Sequence, residues 1–244
     1  MELIRLQKFF TDCDVLSRRA AEEEIRSGRV LVNGIRAEIG QKIDPHTDVV
    51  EWNGSIIVPP EKTIHKYIML NKPRGYLSTV TDDRGRHCVT ELVADAGARL
   101  YPIGRLDMDS EGLLLLTNDG DLTYQLTHPK HEIPKIYHVK VQGQVTIDQI
   151  KALSSPMEID GYRILPVKTE IVTAKKEHTV LRMTLYEGRN RQIRNMCEAQ
   201  GLTILRLCRV AIGSLELGSL APGKWRYLSK NQVEYLKGKG NKSC

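Results

Sequence analysis

Long hydrophobic runs and paired cysteines are missing from this sequence of 244 residues. No stretch approaches the roughly 18 uninterrupted apolar residues that a membrane-spanning helix needs. The first five residues, MELIR, do not follow the basic-then-apolar layout of a secretory signal. These absences argue against a membrane or secreted protein, and we expect a cytoplasmic protein with no membrane partner.

The cysteines are few and scattered along the chain. They are odd in number and none belongs to a Cys-x-x-Cys pair: Cys13, Cys88, Cys197, Cys208 and Cys244. This pattern argues against both a disulfide framework and a structural zinc site. We expect reduced thiols that serve mainly in packing.

The charge is modest in total but uneven along the chain. The formal net charge is +6, yet residues 181–244 hold 12 Lys or Arg and four Asp or Glu, whereas residues 1–60 hold eight and ten. A basic region of this kind favours a polyanionic partner through phosphate neutralisation and counterion release. A solvated basic surface has the same composition, so charge alone leaves both interpretations open.

The beginning of the chain has the pattern of a compact module. Residues 3–10 predict a short helix, and a second helix begins after Ser17, a favourable N-cap residue, and stops near Gly28. Residues 33–34, Asn-Gly, lie between alternating residues and predict a tight hairpin. The module ends at a linker that starts with the prolines at 59–60.

The chain after the linker has many short strand patterns and few helices. Strands are predicted at residues 67–70, 113–117, 137–141, 179–186 and 205–210, and helices at residues 121–127, 146–153 and 191–200. Strands that do not alternate with long helices predict an α+β domain with a mixed, largely antiparallel sheet. The predicted division is 1–60 for the module, 61–236 for this larger domain and 237–244 for a basic, disordered tail.

Two arginines stand where a helix dipole favours acids. Ser17 is followed by Arg18 and Arg19 in the first turn of the second predicted helix. Free backbone N–H groups at that helix end, together with both guanidinium groups, would bind phosphate. Further cations extend this candidate surface along the module: Arg5, Lys8, Arg26 and Arg29. The alternative is an exposed helix end whose arginines pair with the acids at 22–24.

Four short runs within residues 3–52 form a specific pattern. They are LQKF at 6–9, SRRAA at 17–21, IRSGRV at 25–30 and VNG at 32–34. These runs resemble the small RNA-binding module named after ribosomal protein S-four, and the resemblance implies that the cations above, with Ser17, contact structured RNA. Residues 13–14, Cys-Asp, depart from the small residue and glycine that members usually have.

Residues 104–112, GRLDMDSEG, place three acids at alternate positions before a glycine. A calcium loop would need a glutamate at its twelfth position, which is Asn118 here, and exposed polar backbone where leucines follow. A phosphatase-like Asp-x-Asp, with Asp107 as a magnesium-bound phosphoryl acceptor, expects an apolar strand directly before the first Asp. The preceding PIGRL at 102–106 does not suit it.

A third interpretation takes this acidic motif together with other runs of the larger domain. They are LNKPRG at 70–75, residues 122–129, KIY at 135–137, LYEGRNRQIRNM at 185–196, Leu207-x-Arg209, and Gly223-x-Trp225-Arg226-x-Leu228. In this order the motifs resemble the RsuA and RluB branch of the ribosomal pseudouridine synthases, and the resemblance covers essentially the whole chain after the linker. It implies an isomerase that converts a uridine of ribosomal RNA to pseudouridine.

The chemistry of that reaction fits these residue types. The N1 to C1′ glycosidic bond breaks, the base turns and a bond through C5 forms, so no atoms are gained and no redox or metal cofactor is required. By the resemblance Asp107 is the carboxylate that acts; attack on the ribose C1′ and assisted elimination to a glycal-like intermediate both stay open. The base must leave its stack, and Tyr137 matches the tyrosine that stacks on it and can act as general base in the family.

The resemblance also assigns the arginines of the larger domain. Arg194 matches the family's partner of the nucleophile, and a bidentate guanidinium would orient Asp107 in a dry pocket. Arg105, Arg189 and Arg191 are the expected contacts to the RNA backbone. Taken singly, Tyr137 is also explained as an aromatic on a half-buried strand, and residues 189–194 as a solvated helix start.

His128 and His131 are spaced as a metal pair allows, but a proline between them breaks the helix that such a pair would use. We expect a structural role or weak RNA contacts for both. The expected partner is ribosomal RNA or a pre-ribosomal particle, with a leaning toward the large subunit. The main competing function is a non-enzymatic RNA-binding or ribosome-assembly factor. No feature indicates an oligomer, so a monomer is the default expectation.

Overall fold

The structure is a computed structural model that describes residues 3–60, 64–128, 133–159 and 161–240. The chain forms two compact units, Met1–Ile64 and His65–Cys244, which we call the N-terminal unit and the C-terminal unit. Each unit has its own hydrophobic core. Within the described ranges, no helix has the length and apolarity that crossing a membrane requires.

The N-terminal unit folds around the apolar sides of two helices and a small sheet. Its elements are β1 Ile4–Arg5, α1 Leu6–Asp12, α2 Arg18–Arg26, β2 Val30–Val32, β3 Ile35–Arg36, β4 Lys42–Ile43, β5 Val50–Trp52 and β6 Ser55–Ile57. The larger sheet has the order β3-β2-β5-β6, and β1 pairs with β4. Phe9, Phe10 and Ile25 from the helices are buried with Val30 and Val50 from the sheet.

The predicted helix over residues 3–10 is wrong at its start. The residues of β1 pair with β4, and α1 begins only at Leu6. Leu3 is 56% exposed, so it does not belong to the buried helix face. Apolar periodicity is a local signal, and it cannot reveal a pairing with a strand that lies much later in the chain.

Turn chemistry confirms the second helix and the hairpin. Ser17 is the N-cap of α2, and its side chain accepts a hydrogen bond from the Ala20 N–H at 3.1 Å. Asn33 and Gly34 have φ angles of 54° and 79°, as the tight turn between β2 and β3 requires. Asp14, at the family's glycine position, has a φ of 57°, which aspartate tolerates better than most residues.

The C-terminal unit combines one large sheet with short helices. Its strands are β7 Tyr67–Lys72, β8 Tyr101–Ile103, β9 Glu111–Thr117, β10 Lys135–Gln142, β11 Glu158–Ile159, β12 Tyr162–Arg163, β13 Lys168–Ala174, β14 His178–Leu185, β15 Ile204–Ile212, β16 Leu215–Glu216 and β17 Trp225–Tyr227. Its helices are α3 Gly120–Thr127, α4 Ile147–Ser154, α5 Gln192–Ala199 and α6 Lys230–Gly240, with a 3-10 helix at Glu91–Ala96.

The large sheet confirms the predicted α+β class. Its order is β13-β14-β10-β15-β9-β7-β17, with β16 beside β15 and β8 beside β9. Among the strand pairs of the described residues, β15 with β9 is parallel and the others are antiparallel. The five predicted strands and three predicted helices of this unit all occur, with ends that differ by a few residues.

The run of four leucines in β9 is explained by burial on both faces of the sheet. Leu113 and Leu115 pack with α3 and α6, whereas Leu114 and Leu116 pack with the 3-10 helix. Successive residues of a strand point to opposite faces, so a strand that is covered on both sides must be apolar at every position. The acidic motif therefore leads directly into a rigid central strand.

The predicted disordered tail at 237–244 requires correction, because α6 continues to Gly240. Leu236 is fully buried in the core, and Lys237 Nζ lies 3.3 Å from Oδ2 of Asp119 and over the ring of Tyr67. These tertiary contacts stabilise a helix end whose local composition is polar and glycine-rich. Residues 241–244 lie outside the described residues.

Candidate active site

Asp107 lies in the loop between β8 and β9, and we call residues 105–110 the acidic loop. The Lys72 side chain at the end of β7 is fully buried and donates to three carbonyl oxygens within 3.0 Å. The acceptors are those of Pro73 at 3.0 Å, Asp107 at 3.0 Å and Ser110 at 2.8 Å. Hydrogen bonds from the Lys72 ammonium group thus fix the backbone that carries Asp107.

Lys72 is a cation even though it is buried. Burial lowers the pKa of Lys72 to about 8, and the carboxylates of Asp107, Asp109 and Glu111 oppose that shift. Three carbonyl acceptors within 3.0 Å match the three N–H donors of an ammonium group, which is the charged form of the side chain. A buried charge needs hydrogen-bond partners, and the acidic loop supplies them through its backbone carbonyls. The loop conformation and the buried charge therefore stabilise each other.

Gly112, at the end of the acidic motif, allows β15 to approach closely. Its φ is 106°, and a Cβ at this position would lie 2.2 Å from the carbonyl oxygen of Arg209. The two residues are direct neighbours in the parallel pair of β9 and β15. Only glycine combines this backbone conformation with the close approach. The buried Arg209 is thereby brought next to the acidic loop, where its Nε donates to the Leu113 carbonyl at 2.7 Å.

Arg194, in the first turn of α5, reaches the acidic loop. Its Nη2 lies 3.1 Å from Oδ1 of Asp109 and 3.2 Å from Oγ of Ser110, whereas its Nε lies 3.8 Å from Oδ2 of Asp107. The prediction of a bidentate pair with Asp107 is therefore wrong for this structure, because the guanidinium is shared between two carboxylates. The Asp107 side chain is 40% exposed, so the predicted dry pocket is also wrong.

A second arginine approaches the same two carboxylates. Arg191 is the N-cap of α5 and has left-handed backbone angles, φ 47° and ψ 27°. Its Nη1 lies 3.8 Å from Oδ2 of Asp107 and 3.8 Å from Oδ2 of Asp109. A left-handed conformation is uncommon outside glycine, and such positions cluster at functional sites. The start of α5 thus presents two guanidinium groups to the acidic loop.

Tyr137 lies half-buried on β10, directly opposite Arg209 on β15. The guanidinium Nη1 of Arg209 donates to the tyrosine hydroxyl at 3.5 Å, a long hydrogen bond. Lys135 lies two residues before Tyr137; burial, and second the charge of Arg209, lower the pKa of Lys135. Arg209 and Lys135 therefore flank the tyrosine, and neither is among the predicted site residues.

One cavity of about 550 Å³ brings these groups together. It is lined by every residue predicted for the larger domain: Asp107, Tyr137, Arg194, Arg105, Arg189 and Arg191. Leucines from several elements complete the wall: Leu106, Leu126, Leu165, Leu185 and Leu207. A cavity with a mainly apolar lining and a few polar groups suits a planar polar ring. A carboxylate and a phenol beside it can serve as nucleophile and proton acceptor.

The cations predicted in the N-terminal unit divide into two groups. Lys8 binds Asp12 at 2.8 Å, Arg26 binds Glu23 at 2.5 Å and Arg29 binds Glu24 at 2.7 Å. Arg5, Arg18 and Arg19 are exposed, and none of them has an acid within 4.0 Å among the described residues.

The three acids after Arg18 and Arg19 have other partners, so the predicted alternative pairing is not observed. Glu22 accepts from Gln7, Glu23 from Arg26, and Glu24 from Arg29 and Trp52. The first turn of α2 therefore keeps two exposed guanidinium groups beside free backbone N–H groups, which is the arrangement that binds phosphate.

Residues 66–199, more than half of the chain, match the family described as RNA pseudouridylate synthase. The chain belongs to the RNA pseudouridylate synthase family. The predicted isomerase class is thereby confirmed. Residues 15–49 match the S4 domain, which confirms the predicted RNA-binding module of S-four type.

Relatives across the whole chain agree with this assignment. Ribosomal large subunit pseudouridine synthase B of Bacillus subtilis (strain 168) is 40% identical over 96% of this chain and 95% of that protein. Dual-specificity RNA pseudouridine synthase RluF of Escherichia coli (strain K12) is 39% identical over 94% of this chain and 77% of that protein. A crystal structure of a pseudouridylate synthase matches with a TM-score of 0.68 at 30% identity, over 96% of this chain and 99% of that chain.

Four residues in or beside the site were not predicted from the sequence. They are Lys72, Asp109, Lys135 and Arg209, which lie in or beside the family's motifs. Their positions carry a signal, but burial and side-chain partners cannot be read from a run of residue types. A buried lysine under a loop looks the same in sequence as one on a surface.

The predictions for the histidine pair and for the cysteines are tested only in part. His128 lines the cavity, whereas residue 131 lies outside the described residues, so the histidine pair is not seen together. Cys13, Cys88, Cys197 and Cys208 are free thiols, and position 244 is likewise outside the described residues. Burial raises the pKa of Cys197 to about 12, which suits a packing role.

Proposed function

We propose that this protein converts one uridine of large-subunit ribosomal RNA to pseudouridine, with Asp107 as the nucleophile. The observation that carries the proposal is the convergence of Asp107, Tyr137 and Arg194 on one cavity from a loop, a strand and a helix. The large subunit is favoured by the function of the Bacillus subtilis relative, which is 40% identical. We expect a cytoplasmic monomer to act.

The proposed reaction moves one bond without net change of atoms. The N1–C1′ bond breaks, the uracil turns in the cavity, and a C5–C1′ bond forms. C5 then loses its proton and N1 takes one up, so the product is an isomer of the substrate. In one route Asp107 attacks C1′ as N1 leaves, and the Asp107–C1′ bond breaks when C5 bonds to C1′. In the other route the C2′ proton is lost as N1 leaves, which gives a glycal-like intermediate, and C2′ regains a proton when C5 bonds to C1′. Both routes give the same product.

Tyr137 and the arginines have separate tasks in this proposal. The target base leaves its stack at some energetic cost, and the ring of Tyr137 offers it a flat surface inside the cavity. Arg194 lies between Asp109 and Asp107, so a small shift of its guanidinium moves it onto the nucleophile. A guanidinium at this position orients the carboxylate through charge-assisted hydrogen bonds.

The N-terminal unit contributes affinity in this proposal. Of the six cations predicted in this unit, Arg5, Arg18 and Arg19 are the ones without an acid partner among the described residues, so they are available to RNA phosphates. Phosphate contacts position an RNA without reading its sequence. Selection of the uridine is then left to the cavity and its rim.

The test uses ribosomal RNA from a strain that lacks this gene, both as naked RNA and as pre-ribosomal particles. Wild-type protein and the Asp107→Asn variant are incubated with each substrate in the presence of a chelator, and pseudouridine is mapped by carbodiimide-dependent reverse-transcription stops. We expect a new stop with the wild type and none with Asp107→Asn, which should still bind RNA.

The matched control is Asp148→Asn, which changes a 95% exposed aspartate on α4 away from the cavity. This variant should give the wild-type stop. An active Asp107→Asn variant would show that the nucleophile is misassigned. A wild type that modifies neither substrate would favour the competing binding-factor function.

A further inference from the structure

Three large side chains with apolar surface are exposed around one side of the cavity. Tyr162 is 59% exposed, and Leu165 and Tyr186 are each 46% exposed. Leu165 and Tyr186 line the cavity, as does Arg189, whose guanidinium carbon lies 4.8 Å from the centroid of the Tyr162 ring. We call Tyr162, Leu165, Tyr186 and Arg189 the aromatic rim.

The aromatic rim is anchored from the core. Ile164 lies between Tyr162 and Leu165 in sequence. It is only 2% exposed and packs in the core cluster that includes residues of α5. Its N–H donates to the Met157 carbonyl at 2.9 Å, which ties it to the segment before β11. The buried Ile164 therefore anchors the short segment that carries Tyr162 and Leu165.

Glu187 joins the rim to the start of α5. Its carboxylate accepts from the Leu165 N–H at 2.9 Å, from the Gln192 side chain at 3.1 Å and from Arg189 Nε at 3.2 Å. The same carboxylate therefore fixes the segment that carries Tyr162 and the arginine that lies over the ring. Glu187 belongs to the EGRNRQ part of the family motif, and this geometry gives that acid a positioning role.

We infer that the aromatic rim is a stacking platform for an unpaired nucleobase adjacent to the target uridine. The inference rests on the proposed function, because it names a neighbour of that uridine. Nucleobases stack on aromatic rings and on guanidinium planes, and such contacts tolerate any base because every base has a π face. The exposed ring of Tyr162 offers the first kind of surface, and Arg189, which lies over that ring and lines the cavity, offers the second.

A flanking base on this platform also explains how the target could be held after extrusion. A nucleotide that leaves its stack loses contacts with both neighbours. Stacking of one neighbour on Tyr162 replaces part of that loss at the moment when the uridine enters the cavity. The alternative is that the Tyr162 and Arg189 contact serves only the protein surface, in which case RNA binding does not depend on it.

The test compares binding of RNA hairpins centred on the uridine mapped above. One hairpin is intact, and two others carry an abasic nucleotide directly 5′ or 3′ of that uridine. Wild-type protein should bind the intact hairpin about 10-fold more tightly than one of the abasic hairpins. Tyr162→Ala should lose this preference, and Tyr162→Phe should keep it because the ring is retained.

The control is Tyr227→Ala, which removes a 48% exposed ring from β17; its hydroxyl donates to the Ala96 carbonyl, away from Arg189 and the aromatic rim. It should keep the preference of the wild type. The inference would be overturned if the wild type and Tyr162→Ala lost the same affinity on removal of the flanking base, at both the 5′ and the 3′ position. In that case pseudouridine formation would continue, so the proposed function would stand. Absence of any mapped uridine is a different result, which removes the proposed function and this inference with it.

Discussion

The acidic loop of the C-terminal unit is fixed by hydrogen bonds, whereas the first turn of α2 in the N-terminal unit carries exposed charged side chains. Asp107 sits on backbone that a buried Lys72 fixes through the carbonyls of Asp107 and Ser110, and two arginines approach its carboxylate. Arg18 and Arg19 are exposed beside a single cap from Ser17.

The bond-breaking step needs exact geometry, whereas phosphate binding does not. Breaking a glycosidic bond requires a carboxylate at a defined distance and angle, so the loop is over-determined by hydrogen bonds. Phosphate binding works through charge, which acts over several ångströms in water, so mobile exposed side chains suffice. Substitutions in the loop should therefore affect rate, and substitutions on α2 should affect affinity.

Among the residues that support Asp107, the largest expected effect is that of Lys72→Met. The variant leaves the carbonyls of the acidic loop without their donor, at a cost of about 1–3 kcal/mol for an unsatisfied buried group. We expect single-turnover pseudouridine formation to fall by more than about 100-fold, since Asp107 loses its fixed backbone. Single-turnover kinetics at saturating protein, with thermal unfolding of each variant, measure this.

Lys66→Met is the matched control for Lys72→Met. Lys66 Nζ also donates to backbone carbonyls, those of Ala96 at 2.6 Å and Gly97 at 3.1 Å, but these carbonyls do not belong to the acidic loop. It should lower stability without slowing the reaction step. Equal rate losses in the two variants would mean that Lys72 acts only through general stability, and the contrast between loop and helix would weaken.

A smaller effect is expected from Asp109→Asn. Arg194 and Arg191 both contact this carboxylate, so its neutral replacement loosens two guanidinium groups that face Asp107. We expect the single-turnover rate to fall about 10-fold, equivalent to about 1.4 kcal/mol in the barrier, with unchanged RNA affinity. An unchanged rate would show that Ser110 and the loop backbone suffice to position Arg194.

The smallest effect on chemistry is expected from the double variant Arg18→Ala and Arg19→Ala. RNA affinity should fall about 10-fold, and the slope of log K against log salt should decrease by about 1–2, since two phosphate contacts are lost. The single-turnover rate at saturation should be unaffected. Filter binding across a salt series measures the first two quantities, and quench-flow the third.

Arg26→Ala is the control on the same helix. Arg26 pairs with Glu23, so its removal takes away a cation that is already neutralised. Exposed ion pairs of this kind contribute little to stability, and we expect nearly unchanged RNA binding. An equal effect of Arg26→Ala would mean that local pairing does not decide which cations bind RNA.

Much of the fold could be predicted because its signals are local. The Asn33-Gly34 turn, the Ser17 cap and the apolar run of β9 each depend on neighbours in sequence, and each is found as predicted. The start of α1 and the end of α6 could not, because β4 and the core around Leu236 decide them. Those contacts join segments that are far apart along the chain.

The sequence by itself determined the family, the two-part organisation of its motifs and the candidates Asp107, Tyr137 and Arg194. Residue types in a fixed order suffice for that, since a reaction needs a particular carboxylate, ring and cation. Only the tertiary structure decided that Lys72 holds the acidic loop, that Asp109 shares Arg194, and that Tyr162 stands beside Arg189 at the cavity. Distances and burial arise when remote segments pack, and no local pattern encodes them.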